Sequence, residues 1–352
     1  MALLQLPGLI DVHTHLRVPG GEHKEDFATG TAAALAGGIT MILGMPNTSP
    51  PLTRPEALAQ TRAQAVRDVR CDVGLFAGAS PEDVQLLPQV AAGGAAALKI
   101  YLNDTFGKLR VEDVPTLRAC FQLWPGDKMI AMHAEQQSVA VGIGLAATYN
   151  RPVHFCHISR REEIELIADA KAAGLPVTCE VTPHHLFLSQ ADAAQLGPFG
   201  DMRPVLGSAE DVAALWAHLP ETIDCIATDH APHTPAEKQS AQPPPGVTGL
   251  ETSLLLMLTA VKEGRLTLER LVALMHHNPR RIFGLPEQVD TFVEVDPDAT
   301  TTFANESLQT RCGWTPFAGW TVTGRITRVV LRGETVVEGG RILAAPGSGR
   351  VL

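Results

Sequence analysis

The chain has 352 residues, an apolar fraction of 45% and a formal net charge of −10. This composition excludes wholesale disorder, and the acidic balance argues against a nucleic-acid-binding surface, so an anionic ligand must be met by a local cationic pocket. No apolar run is long enough for a membrane span, the N-terminus lacks a signal-peptide pattern, and the six cysteines (71, 120, 156, 179, 225 and 312) have no paired spacing, which together predict a cytoplasmic protein with reduced thiols.

The first element is the run Gly8-Leu9-Ile10-Asp11-Val12-His13-Thr14-His15-Leu16. On a strand, the i, i+2 spacing of His13 and His15 puts both imidazoles on one face, where they can seize one divalent ion. Taken alone, the pair is equally a half-buried pair of histidines near a turn. Seven more apolar, β-branched runs follow: Thr40–Met45, Cys71–Ala77, Ala97–Leu102, Met129–His133, Val153–His157, Val177–Val181 and Ile223–Thr228. Segments of helical periodicity lie between them, among them Asp26–Ala36, Pro55–Val69, Val111–Leu123, Arg160–Ala173 and Glu210–His218. Eight such units predict an α/β fold, a closed (β/α)8 TIM-type barrel over residues 8–288. After Pro243-Pro244-Pro245-Gly246 come helical segments at Leu250–Glu263 and Leu266–His276. From residue 289 the pattern turns to short strands (Phe292–Val295, Val322–Leu331, Thr335–Leu343), so residues 289–352, with 1–7, are expected to form a small β appendage on the barrel. The abrupt ends suggest a piece of a longer polypeptide.

In such barrels catalytic groups sit at the C-terminal ends of the strands. The polar residues of this chain fall there: His13 and His15, Asn47, Lys99, His133, Cys156 and His157, Glu180, and Asp229. Four imidazoles and a carboxylate suit zinc first among borderline divalent ions. Lys99 is the odd member, since an ammonium is no ligand. A lone lysine in an apolar strand ordinarily snorkels to solvent. Within a ring of histidines a neutral amine can instead take up CO2, becoming a carbamate able to bridge two metals. Loop residues Thr105 and Phe106, followed by Gly107, have the composition of a lid, or of an ordinary strand-to-helix connection.

The Asp11-to-His15 run, Lys99, His133, His157 and Asp229 resemble the amidohydrolase superfamily. His15-Leu16-Arg17 with Pro19-Gly20, Met45-Pro46-Asn47-Thr48 and Asp229-His230-Ala231-Pro232-His233 are similar to dihydroorotases. Lys24-Glu25-Asp26-Phe27, His133-Ala134-Glu135-Gln136-Gln137, the stretch from Pro183 to Ser189 and that from His277 to Phe283 resemble the dihydroorotase domain of the animal multifunctional pyrimidine-synthesis protein. Val18 is a departure, standing where that family usually carries an acidic residue.

The resemblance implies reversible cyclisation of carbamoyl aspartate to dihydroorotate in pyrimidine synthesis. It implies two zinc ions, one held by His13, His15 and Asp229 and the other by His133 and His157, with carbamylated Lys99 bridging. Asp229 would act as base and then acid, its protonated form favouring cyclisation at low pH. Arg17, Asn47 and His233 would hold the substrate carboxylate, with Arg203 an additional contact, and Pro245 and Gly246 would offer backbone groups to the ring. Thr105 and Phe106 match the animal-type enzyme's loop. Cys156 and Glu180, with His157, could hold a third zinc; Cys156 is otherwise a small buried hydrophobe and Glu180 a residue orienting a histidine. A homodimer, fused to or assembled with pyrimidine-synthesis enzymes such as aspartate transcarbamoylase, is the expected assembly. Two rivals stand beside this reading: a sister cyclic amidase (hydantoinase, dihydropyrimidinase or allantoinase), which does not need the carboxylate clamp, and a catalytically dead scaffold.

Overall fold

A computed structural model describes residues 3–105 and 109–352. Strand β1 (Leu4–Pro7) precedes β2 (Leu9–Thr14), β3 (Ile39–Gly44), β4 (Asp72–Leu75), β5 (Ala77–Gly78), β6 (Leu98–Tyr101), β7 (Ile130–His133), β8 (Val153–Phe155), β9 (Val177–Val181) and β10 (Cys225–Ile226). β2, β3 and β4 pair in parallel, as do β5 through β10 in sequence order. β4 and β5 are the two halves of one barrel strand interrupted at Phe76, so among the described residues the barrel has eight strands. A parallel bridge between Thr14 and His230 closes it. The strands read as continuous apolar runs because they are covered on both sides, and β2, β3, β6 and β7 are buried at every position.

Asp11 stitches the closing seam. Its carboxylate accepts hydrogen bonds from the backbone N–H of His13 (3.0 Å), and from the N–H (3.1 Å) and hydroxyl of Thr228. The first strand is thereby tied to the end of the eighth, which brings His13 and His15 beside Asp229. The split third strand has a local cause. The outer edge of β4 is taken by the C-terminal segment: Val351 bridges Val73, whose N–H donates to Arg350 O (2.8 Å). An otherwise open backbone edge is thus covered.

Helices Phe27–Ala36, Pro55–Asp68, Val114–Leu123, Arg161–Ala172 and Ala209–His218 lie within a few residues of their expected bounds. Asp26 and Thr29 form a capping box at the first, and Ser208 and Asp211 one at the last, each answering backbone N–H groups that a helix start leaves unpaired. The helix expected over Leu266–His276 is broken. It runs Leu268–Val272, widens into a π turn at Ala273–His277, and resumes at Asn278–Phe283. Pro279 has no N–H to donate and its ring crowds the preceding turn, which forces the wider hydrogen-bond ladder there.

The tail forms the antiparallel sheet β1–β11–β12–β13–β14, with β11 (Phe292–Thr302), β12 (Thr321–Leu331), β13 (Glu334–Glu338) and β14 (Arg341–Ile342). β11 is longer than its apolar pattern suggests, because it continues past a bulge into a polar half paired with β12. Residues 303–320, between these two strands, cross to the barrel mouth. There Trp314 Nε1 donates to His233 O (2.7 Å), Thr248 Oγ1 donates to Trp314 O (2.7 Å), and the Glu251 carboxylate accepts the N–H groups of Gln309 (2.8 Å) and Thr310 (3.0 Å).

Burial pushes the Glu251 carboxyl up to about 7 from 4.5, with nearby Glu25 adding to the rise, against the pull of those two N–H groups. A carboxyl whose pKa is raised by folding contributes stability that is fully present below pH 4.5 and lost as pH rises through 7. Glu251→Gln keeps an acceptor for both N–H groups and carries no charge. Its urea midpoint should therefore exceed wild type at pH 8 by the equivalent of about 1–2 kcal/mol and match it at pH 4.5. A midpoint lowered at both pH values would contradict this.

Candidate metal centre and substrate cavity

Side chains from six strand ends converge at the C-terminal mouth. His15 Nε2 lies 3.0 Å and His13 Nε2 3.3 Å from Asp229 Oδ1. His13, His15 and Asp229 place one ligand atom each within 4.8 Å of one another, and so do His13, Cys156 and Glu180. His133 Nδ1 meets His157 Nε2 at 2.9 Å, while His133 Nε2 is fixed by Glu135 at 3.0 Å. Lys99 is fully buried, and its Nζ donates to Cys156 Sγ at 2.8 Å.

The electrostatics of this cluster favour a cation. Burial, the largest influence, pushes the His15 imidazole down to about 4 and those of His133 and His157 below their usual range. These rings are therefore neutral, with lone pairs available. His13 goes the other way: burial and Lys99 oppose its protonation, but Glu180, Asp229 and Cys156 raise it to about 10. Asp229 and Glu180 stay ionised despite burial, held well below the usual carboxylate range by the histidines around them, His13 foremost. A histidine set between two carboxylates and beside neutral imidazoles offers donors for which a metal ion would compete with a proton. The buried His157 Nδ1, which has no hydrogen-bond partner among the described residues, is a further sign that the set suits a ligand. The donor set fits a divalent metal.

Backbone strain is concentrated here. Arg17 (φ 61°), His157 (φ 36°) and Asp229 (φ 46°) all lie in the left-handed region that non-glycine residues avoid, at a cost of about 1–3 kcal/mol each. Local bonds hold them: Arg17 O accepts from Gly21 N (2.8 Å), and His157 N donates to Glu180 Oε1 (3.2 Å). Each turns the chain sharply at a strand end, aiming its side chain back over the mouth.

Beside the cluster lies a small cavity lined by His15, Arg17, Asn47, Thr105, Arg203, Asp229, Ala231, Pro245 and Gly246. It brings together Asp229 and most of the residues expected to touch substrate. His233 stands just behind: its Nε2 is 3.0 Å from Arg17 Nη2 and 3.1 Å from Pro245 O. Burial, then Arg17, Lys24 and Lys238, push His233 far below the usual histidine range, so it is neutral. Arg203 is also bonded to Asp201, so it has a structural partner as well as a place in the cavity wall. Phe106 lies outside the described residues.

Three residues with no role assigned from sequence support the site. His154 Nε2 bonds Glu180 Oε2 (3.0 Å), and Glu180 Oε1 in turn bonds His13 Nδ1, so Glu180 orients the His13 ring from behind. Cys156 and Glu180, expected beside His157, also gather with His13. Lys24 Nζ contacts His233 Nδ1 (3.1 Å) and Glu237 (3.0 Å), which fixes the ring whose other nitrogen faces Arg17. Trp314 grips the His233 carbonyl from the tail. Glu180 and His154 share one face of neighbouring strands, a signal present in the sequence once register is known. The contacts of Lys24 and Trp314 depend on loop paths that no periodicity encodes.

A parallel barrel with histidines, carboxylates and a buried lysine gathered over its strand ends defines a metal-centred barrel hydrolase. The amidohydrolase family model matches residues 4–336, and the chain belongs to that family. It is 52% identical over 349 residues to the multifunctional protein CAD of Squalus acanthias, covering 99% of this chain and 16% of that protein. It is 35% identical over 362 residues to the dihydroorotase of Pyrococcus furiosus, covering 99% of this chain and 84% of that one. Among solved structures, the L-hydantoinase (dihydropyrimidinase) from Arthrobacter aurescens superposes with a TM-score of 0.95 at 26% identity, over 99% of this chain and 88% of that one. The inactive dihydroorotase-like domain of the Chaetomium thermophilum CAD-like multifunctional protein does so with 0.85 at 30% identity, over the whole of both chains. The chain thus spans about a sixth of the length of the multifunctional relative.

Proposed function

We propose that this chain is a zinc-dependent dihydroorotase, interconverting carbamoyl aspartate and dihydroorotate. The observation that carries the reading is the shared cavity, whose lining includes Arg17 and Asn47 together with Asp229. A guanidinium fork matches a carboxylate in bidentate fashion, and this buried one, though burial lowers it to about 10, remains charged at neutral pH. Such a clamp serves a substrate bearing a carboxylate beside its cyclic amide, which the simple cyclic imides of sister amidases lack.

His13, His15 and Asp229 would hold one zinc, and His133 and His157 the other. Lys99 would bridge them after its amine attacks CO2, giving a carbamate and releasing a proton. A third zinc would have to replace the hydrogen bond between Glu180 and His13, with Cys156 beside it. When bound, the zinc supplies a water acidic enough to attack at neutral pH and polarises the amide carbonyl. Asp229, ionised and at the cavity wall, takes the proton of the attacking water on its carboxylate and hands it to the leaving ring nitrogen. Arg17 and Asn47 fix the carboxylate end, so that the scissile amide is held over the cluster. Arg203, with the backbone of Pro245 and Gly246, frames the ring, and Thr105 closes the cavity from the loop side; Phe106 would join it.

The complete donor set argues against a dead scaffold, although one solved relative is inactive. We also infer a barrel over residues 8–288 with the appendage formed by 289–352 and 1–7. The setting we propose is a cytoplasmic homodimer fused to or assembled with other pyrimidine-synthesis enzymes, such as aspartate transcarbamoylase. Among the described residues no helix is long and apolar enough to cross a membrane. A substrate panel tests the function. Dihydroorotate should be hydrolysed, with hydantoin and dihydrouracil slower by orders of magnitude in kcat/KM. Preference for the uncharged rings would shift the reading to a sister amidase, and no turnover of any would leave the scaffold.

A further inference from the structure

Tyr101 ends β6, two residues beyond Lys99, so the two side chains project from the same face of the strand. It is 3% exposed, and its hydroxyl is buried without a hydrogen-bond partner among the described residues. The ring lies under Lys99, whose Nζ is 5.2 Å from its centroid, and 6.1 Å from the His133 ring. Leaving a buried hydroxyl unpaired is costly, and a phenylalanine would fill the same space without that cost. An orphaned O–H at the mouth of a barrel is explained when its partner is a bound molecule.

The surroundings indicate which one. Cys156, Asp229 and Arg17 all lie near enough to act on this buried phenol. Asp229 and Arg17 line the substrate cavity, as does Thr105, four residues further along the chain. We propose that the Tyr101 hydroxyl is a substrate-contacting group, donating a hydrogen bond to an oxygen of the bound cyclic amide or its ring-opened form. This rests on the dihydroorotase reading for the identity of the ligand but not for the existence of the contact.

Tyr101→Phe removes only the oxygen, and the full chain should be compared with wild type by kinetics, thermal unfolding, zinc content and protection by dihydroorotate against unfolding. The expected result is a fall of about 10- to 100-fold in kcat/KM, the loss of one donor to a charged or developing-charge oxygen. A rise in KM would place the contact on the carboxylate, and a fall in kcat on the reacting carbonyl. Zinc per chain should be unchanged, Tm unchanged or raised, and the ligand-induced Tm shift reduced. A variant with wild-type kinetics and an equal ligand-induced shift would overturn the proposal. So would loss of zinc, which would tie the hydroxyl to the metal cluster, or a lowered Tm in the absence of ligand, which would make it structural. If wild type fails to turn dihydroorotate over yet is protected by it more than the variant, the functional reading falls and the Tyr101 contact stands.

Discussion

Lys99→Ala should lose bound zinc and dihydroorotate hydrolysis together, with kcat/KM reduced by at least about a thousandfold, the scale of forfeiting metal-supplied charge stabilisation. The argument starts from burial. Lys99 is fully enclosed, its Nζ touches only the Cys156 sulfur as a hydrogen-bond acceptor, and among the described residues no carboxylate forms an ion pair with it. A buried ammonium without a counter-ion is costly, so such a lysine persists when its nitrogen is put to another use. A carbamate converts it from a cation to an anion amid four histidines, which reverses the electrostatic sense of the site. Alanine on a strand leaves a void but no backbone conflict, so far-UV circular dichroism should remain that of wild type. Zinc retained at wild-type levels in a folded Lys99→Ala protein would show that the lysine does not bridge metals.

Asp229→Asn should lower kcat by about 10²–10⁴, the usual worth of a positioned acid–base group, with a smaller change in KM. Asparagine keeps the size of the side chain and its contacts with His13 and His15 but cannot accept a proton. The wild-type carboxyl is held ionised by those histidines against the effect of burial. Its backbone, at φ 46°, suits asparagine as well as any non-glycine residue, so the substitution adds little strain. Steady-state kinetics with zinc quantified on the same sample separates the two effects. Near-wild-type kcat with zinc bound would move the proton-transfer role to another group.

Much of this arrangement was legible in the chain. The barrel followed from eight apolar runs whose ends carry polar residues, because a parallel sheet buried on both faces leaves no alternation and few polar positions except at its mouth. The convergence of these side chains was legible for the same reason: His13, His15, Lys99, His133, His157 and Asp229 are strand-end residues, and closing the barrel brings such ends together. What escaped depends on tertiary paths. The approach of Cys156 and Glu180 to His13 is set by the stagger between strands, which spacing along one strand does not reveal. The excursion of residues 303–320 to the mouth, and the grip of Trp314 on the loop at His233, come from a stretch with no regular periodicity. The orphaned hydroxyl of Tyr101 is a property of its surroundings; in sequence it is one aromatic residue in an apolar strand.

The central claim is that the converged histidines, Lys99 and Asp229 form a zinc centre that acts on dihydroorotate. The most direct measurement is a zinc titration of chelator-stripped full chain in bicarbonate buffer, following dihydroorotate hydrolysis. The account predicts no activity in the stripped protein and a rise that levels off near two equivalents of zinc per chain. Undiminished hydrolysis without metal, or none at any zinc loading, would contradict it.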